Sequence, residues 1–186
     1  MRMHIRKMKR LPWILIIGLG GALATASGAW SQQKQPVSVG YSIPPGAATY
    51  TQEHLIDVGD VPGHIVRVFE LHFDFKNIDL SFGGIKVKEG WVRGASDYTN
   101  GTGTASNYGI TVLEDGNMLF TKEAVVAQTT PTPDGSKAVK ASIVSTFVGG
   151  TGKFKGIRGQ LRGNSVRDPG SKKITVDVSG EYWIEE

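Results

Sequence analysis

The chain has 186 residues, with 21 Lys and Arg against 17 Asp and Glu, and it has no cysteine. This length suits one domain, and the lack of cysteine excludes disulfides, thiolate nucleophiles and cysteine–zinc sites. Five of the basic residues and none of the acidic ones precede Gln32, so the rest of the chain holds 16 basic residues against 17 acidic ones. A remainder with a net charge of −1 offers no electrostatic basis for binding nucleic acid.

The first 31 residues have the order expected of a secretory signal peptide. Basic residues up to Arg10 precede an apolar stretch over residues 11–26, and small residues follow over 24–29. Glycines interrupt the apolar stretch, which falls short of the ~20 residues of a membrane-spanning helix. We therefore expect residues 1–31 to be removed on export, giving a secreted or periplasmic protein with no membrane span in the mature chain. An uncleaved N-terminal anchor is the alternative.

The remaining residues show strand signals. An extended segment over residues 32–48 is followed by the predicted domain, residues 49–186, which shows no helical period of useful length. Alternation is clearest over residues 64–75, where one face carries a mostly apolar set: Ile65, Arg67, Phe69, Leu71, Phe73 and Phe75. Seven or eight strands at hairpin spacing predict an all-β barrel or sandwich, and closure of the sheet edges favours the barrel.

Two turns punctuate these strands. Asp115-Gly116 between alternating runs predicts a two-residue type I′ hairpin turn. Prolines and an Asp-Gly pair predict a loop over residues 129–136.

A glycine-rich run occupies residues 147–159. Its Gly-Lys pair suggests a phosphate-binding loop, but Phe147 stands where the first glycine is required and Phe154 where the hydroxyl is required. We therefore expect no bound nucleotide and no cofactor. The run predicts a tight link between two strands, with a structural role for its glycines: Gly149, Gly150, Gly152, Gly156 and Gly159.

This run, GGTGKFKGIRG, resembles the glycine signature of the allene oxide cyclase and dirigent barrels. Residues 53–63 resemble the family's first strand and following loop, residues 108–116 its central hairpin, and residues 180–182 its closing strand. The resemblance is to a bacterial-type secreted member and covers residues 53–184. It implies an eight-stranded antiparallel β-barrel of the calycin type with an apolar cavity, assembled as a homotrimer or homodimer.

The resemblance also implies two cavity residues. Glu53 matches the first-strand glutamate of the plant cyclases, which makes it the candidate catalytic residue, and Pro62 matches the loop proline beside their cavity. Leu55 and Val61 replace the polar partners that hold an ordered water in the plant site, so jasmonate-type cyclisation is not expected here.

Other polar residues suggest less. His64 and His72 lie about 26 Å apart along one strand and cannot share a metal ion, so no metal site is predicted. Glu70, His72 and Asp74 share one strand face, which fits an acid–base group or, preferably, the solvated side of a half-buried strand.

Three functions follow as hypotheses. The preferred one is an exported barrel that binds or guides a small apolar or phenolic molecule in its cavity. The alternatives are an isomerase or cyclase that uses Glu53 and a non-catalytic envelope or matrix protein with a filled barrel.

Overall fold

The computed structural model describes residues 35–133, 135–167 and 173–185. The predicted signal peptide lies outside these residues. In the described part of the chain no helix is long and apolar enough to cross a membrane.

Within the described residues, ten strands and one short 3₁₀ turn make up the fold. The strands are β1 Val37–Ile43, β2 Ala48–Asp57, β3 His64–Asp74, β4 Ser81–Phe82, β5 Ile85–Thr99, β6 Thr102–Leu113, β7 Met118–Pro131, β8 Lys137–Gly150, β9 Ile157–Arg167 and β10 Ile174–Ile184, and the turn is Gly152–Phe154. All strand pairs are antiparallel, in the order β1-β10-β9-β8-β7-β6-β5-β3-β2, and β4 pairs with β5 alone. The all-β antiparallel prediction is confirmed.

The count of eight strands and the closed sheet are wrong. The chain passes from β1 to β2 through Pro44-Pro45-Gly46, and a proline has no backbone N–H for a ladder. β1 pairs with β10 and β2 pairs with β3, so the two edge strands of the sheet, β1 and β2, are not joined by a ladder. The sheet still curls around one interior, since Arg167 at the end of β9 lies 5.9 Å from the Tyr50 ring on β2.

The hairpin turns also correct one expectation. Between β6 and β7 only Gly116 has a positive φ, at 83°, so Asp115-Gly116 is not a type I′ turn. The loop has three residues instead, closed by a 2.8 Å bond from the Leu113 N–H to the Asn117 carbonyl, and the Asp115 carboxylate accepts the Asn117 N–H at 3.0 Å. The type I′ geometry lies between β5 and β6, where Asn100 and Gly101 have φ of 52° and 81°.

One end of the barrel is packed solid. We call it the packed end, and its centre consists of Phe82, Phe147, Phe154, Ile157 and Tyr182, all at most 4 % exposed. The rings of Phe82, Phe147 and Tyr182 lie 5.2–6.3 Å apart between centroids. The predicted glycine link forms this end, because the 3₁₀ turn inserts Phe154 beneath the strands.

Candidate functional site

The other half of the barrel contains two adjoining cavities. The first cavity has a volume of about 140 Å³ and is bordered by residues of eight strands, all but β1 and β4. The second has a volume of about 110 Å³ and lies deeper, beside Tyr41 and Phe75. Five side chains border both: Phe73, Val92, Glu123, Ile143 and Val176. Most of the lining is apolar, as in small-molecule sites generally.

Glu123 is the acidic group at this shared wall. It lies on β7 in phase with the buried Leu119 and Val125, so strand alternation turns it inward. Ser145 donates its hydroxyl to Oε1 at 3.1 Å, and Asn107 donates its amide to Oε2 at 3.4 Å. Burial raises the pKa of Glu123, and the hydrogen bonds from Asn107, Ser145 and Thr121 oppose that rise.

Two polar groups near Glu123 are unusual for a barrel core. Asn107 is 6 % exposed, and its Oδ1 is buried without a hydrogen-bond partner in the described part of the chain. The glycine at 94 leaves the space that this amide occupies, because a Cβ there would collide with Asn107. Burial, and secondarily the charge of Glu123, raises the pKa of Tyr41. The interior therefore offers an acid, a phenol and an unsatisfied acceptor.

Two arginines and a tyrosine form the entrance. Arg67, Tyr98 and Arg167 border the first cavity and also a surface cleft of about 180 Å³ beside the exposed Leu55. The Arg67 guanidinium lies 4.8 Å from the Tyr50 ring centroid. Burial raises the pKa of Tyr98, and the charges of Arg67 and Arg167 oppose that rise.

The two site residues implied by the resemblance lie away from the cavity walls. Glu53 on β2 is exposed and forms a 2.8 Å ion pair with the entrance residue Arg67. Pro62 is exposed in the β2–β3 turn, where its carbonyl accepts the Asn100 amide at 3.2 Å. Neither borders the first or second cavity, and the two are not brought together. The catalytic role of Glu53 and the ligand-lining role of both stay predictions.

Glu53 does border another depression, an open groove of about 760 Å³ over β2, β3, β5 and β6. This groove is large, yet it is a shallow surface feature with charged walls at Glu70 and Arg93. Water there competes with any ligand contact, whereas the interior cavities remove their polar groups from water. We therefore place the candidate site in the interior.

The histidines form paired contacts on the outer surface. His64 lies between Asp60, at 2.6 Å from Nδ1, and Asp97, at 2.7 Å from Nε2, and these bonds raise its pKa. His72 contacts Glu89 at 3.1 Å. No cluster of three or more potential metal ligands occurs among residues 35–133, 135–167 and 173–185.

Glu70, from the proposed acid–base group, lies in an ion pair. Arg93 contacts it at 2.6 Å and Thr51 donates a hydrogen bond at 2.7 Å, and these bonds lower its pKa. A carboxylate held in its charged form by a cross-strand arginine fits the solvated strand face better than it fits a general acid.

Sequence reasoning missed the interior polar group. Thr121 and Glu123 break an otherwise apolar inward face on β7, and a carboxylate in phase with buried aliphatic residues was the available signal. The adjacent Lys122 obscured it, because a Lys-Glu pair is typical of an exposed segment. Arg67 was recognised on the apolar face of its strand but not as part of an entrance.

Comparisons with known proteins add one structural similarity. No family model matches the chain, and no curated protein matches it. A solved structure, the pterocarpan synthase dirigent protein PsPTS1, matches with a TM-score of 0.48 and 14 % identity over 83 % of this chain and 99 % of that one. PsPTS1 is named as a dirigent protein, and at 14 % identity and a TM-score of 0.48 the similarity carries no functional argument.

Proposed function

We propose that this protein binds or guides a small apolar or phenolic molecule inside its barrel. The first cavity carries the proposal: a mainly apolar interior space of about 140 Å³ with an entrance at one side and a few polar groups at its base. An apolar cavity of about 150 Å³ accommodates a molecule the size of benzene. The space thus suits a single aromatic ring, and the polar groups would orient it.

A filled cavity tests this directly. Ala141 on β8 borders the first cavity, so Ala141→Phe would place a ring in the space reserved for the ligand. Ala124 on the neighbouring strand faces outward and is exposed, so Ala124→Phe is the matched control. By calorimetry with 4-hydroxybenzyl alcohol we expect binding by the wild type and by Ala124→Phe, and at least about a tenfold loss in Ala141→Phe.

Equal affinities in the wild type and the two variants would mean that the ligand binds outside the interior. No binding in any of them would favour the structural hypothesis, in which the protein is a non-catalytic envelope or matrix component.

An isomerase or cyclase is the second candidate, and the burial of Glu123 favours it. A carboxyl group whose pKa is raised by burial retains its proton at higher pH and is able to act as a general acid. Such an enzyme would convert more than one equivalent of its substrate, and Glu123→Gln would abolish turnover while keeping affinity. Glu53→Gln provides the comparison: if only it abolishes turnover, the role predicted from the resemblance belongs to Glu53.

The proposal includes export. Purified native protein should begin between Ser27 and Gln32, as measured by mass spectrometry or Edman sequencing. An intact Met1 in the extracytoplasmic fraction would instead indicate an anchored protein.

A further inference from the structure

We propose that the ligand is a small aromatic carboxylic acid with a hydroxyl group on the far side of its ring. The carboxylate would lie between Arg67 and Arg167 at the entrance, and the hydroxyl would reach Glu123 at the base. This inference rests on the proposed function, because it specifies what occupies the same cavity.

The entrance supplies positive charge. The Arg67 side chain is 11 % exposed and its charge is balanced by Glu53 at 2.8 Å. Arg167 has no carboxylate within ion-pair distance among the described residues, and its guanidinium lies 5.9 Å from the Tyr50 ring centroid. Among the described residues, Arg67, Glu53 and Arg167 together leave one positive charge at the entrance without a carboxylate partner.

An anionic ligand would balance that charge. Guanidinium groups bind carboxylates through paired, charge-assisted hydrogen bonds, and these strengthen where water is partly excluded. Tyr50 and Tyr98 border the same opening with their rings, which suits an aromatic acid better than an inorganic anion. Glu123, the acidic residue among the described ones that border the first cavity, lies at the base, where burial favours its neutral form.

The base of the cavity supplies acceptors. Glu123 borders both cavities, and its carboxyl group accepts hydrogen bonds from Ser145 at 3.1 Å and from Asn107 at 3.4 Å. Each carboxyl oxygen has a further lone pair, which would accept a hydrogen bond from a donor on the ligand. A ring hydroxyl supplies such a donor, and a carboxylate does not. The entrance would therefore bind the carboxylate of the ligand, and the base would bind its hydroxyl group.

Three probes and two variants test the inference by calorimetry on the purified protein. The probe 4-hydroxybenzoate carries both groups, 4-hydroxybenzyl alcohol lacks the carboxylate, and benzoate lacks the hydroxyl. Arg167→Gln removes the unbalanced charge. Arg162→Gln on the same strand is the matched control, because Arg162 is exposed and contacts Gln160 at 3.4 Å.

We expect the wild type to bind 4-hydroxybenzoate about tenfold more tightly than the alcohol, and more tightly than benzoate. Arg167→Gln should weaken binding of the acid about tenfold, to the level of the alcohol, and Arg162→Gln should keep the preference for the acid. If the alcohol binds as tightly as the acid, the carboxylate inference is wrong and the proposed function stands. If none of the probes binds, both are wrong.

Discussion

The two ends of this barrel are built from the same strands but differ in how their interiors are filled. At the packed end, Leu119 and Ile157 have no exposed surface and Phe154 has 2 %. At the opposite end, which we call the cavity end, the interior faces of the same strands carry smaller or polar residues. Ala127 and Ala141 on β7 and β8 stand where the packed end has Leu119 and Phe147.

This difference separates stability from binding. Close packing at one end provides the contacts that hold the curled sheet together, since each buried large side chain contributes several kcal/mol at most sites. The cavity end gives up such contacts and keeps polar groups away from water, which costs stability unless a ligand compensates. Three substitutions measure how far the two ends differ.

Removing Phe154 should have the largest effect. Phe154→Ala would leave a void among the buried rings of the packed end, and we expect it to lower the free energy of unfolding by about 3–5 kcal/mol. Chemical denaturation measures this change. Ala141→Phe at the cavity end is the counterpart, where an added ring enters existing space and should cost less than about 1 kcal/mol. Equal losses would remove the distinction between the ends.

The glycine link should show the next largest effect. Gly152 has a φ of 53°, and a Cβ there would collide with the side-chain amide of Asn117. Gly152→Val should therefore destabilise the protein by about 1–3 kcal/mol, measured as a lower denaturation midpoint. Gly135 also has a positive φ, 82°, but no atom lies within 4 Å of the position that a Cβ would take there, so Gly135→Val separates backbone strain from collision. An unchanged midpoint for Gly152→Val would show that the link tolerates an ordinary side chain.

The smallest expected effect is a difference between the two ends in how protein stability depends on pH. The pKa of Glu123 at the cavity end is raised by burial, whereas backbone and side-chain hydrogen bonds from Asn117 lower the pKa of Asp115 at the packed end. A raised carboxyl pKa gives stability that is present below the unfolded value, near 4.5, and is lost as the pH rises toward the folded value. A lowered carboxyl pKa, as at Asp115, gives stability that is present above the pKa of the unfolded state and is lost as the pH falls toward the folded pKa.

Glu123→Gln should remove the loss of stability that the raised pKa of Glu123 causes as the pH rises. Its stability relative to the wild type should increase as the pH rises above about 4.5, measured by urea denaturation at several pH values. The exposed Glu114→Gln serves as the control and should show no such trend. A parallel pH dependence in wild type and Glu123→Gln would mean that Glu123 is solvated.

Much of the fold was predictable because strand alternation is local. The inward face of β3 was predicted from period two alone, and Arg67, Phe69, Leu71 and Phe73 do border the first cavity. The extended segment before residue 49 contains β1, in which Val37, Val39, Tyr41 and Ile43 alternate with small residues. Its pairing with β10 joins residues far apart in the chain, and no local pattern indicates that partner.

The site was harder to predict because its residues lie on different strands, and only the pairing of those strands brings them together. Glu123, Asn107 and Ser145 meet only through the register of β6, β7 and β8, and no motif connects them in the sequence. The entrance combines Arg67 on β3 and Arg167 on β9, which lie far apart in the sequence. Resemblance pointed to Glu53, and the structure links that residue to the entrance through Arg67.

The location of a bound ring tests the central claim most directly. In an NMR experiment with 4-hydroxybenzyl alcohol, intermolecular NOEs report which methyl groups lie beside the ring protons. We predict NOEs to Val125, Val139 and Ile143, which border the first cavity, and none to Val126 and Val148, which are at least half exposed on the outside. NOEs confined to Val126 and Val148, or to Val68 in the surface groove, would contradict the account.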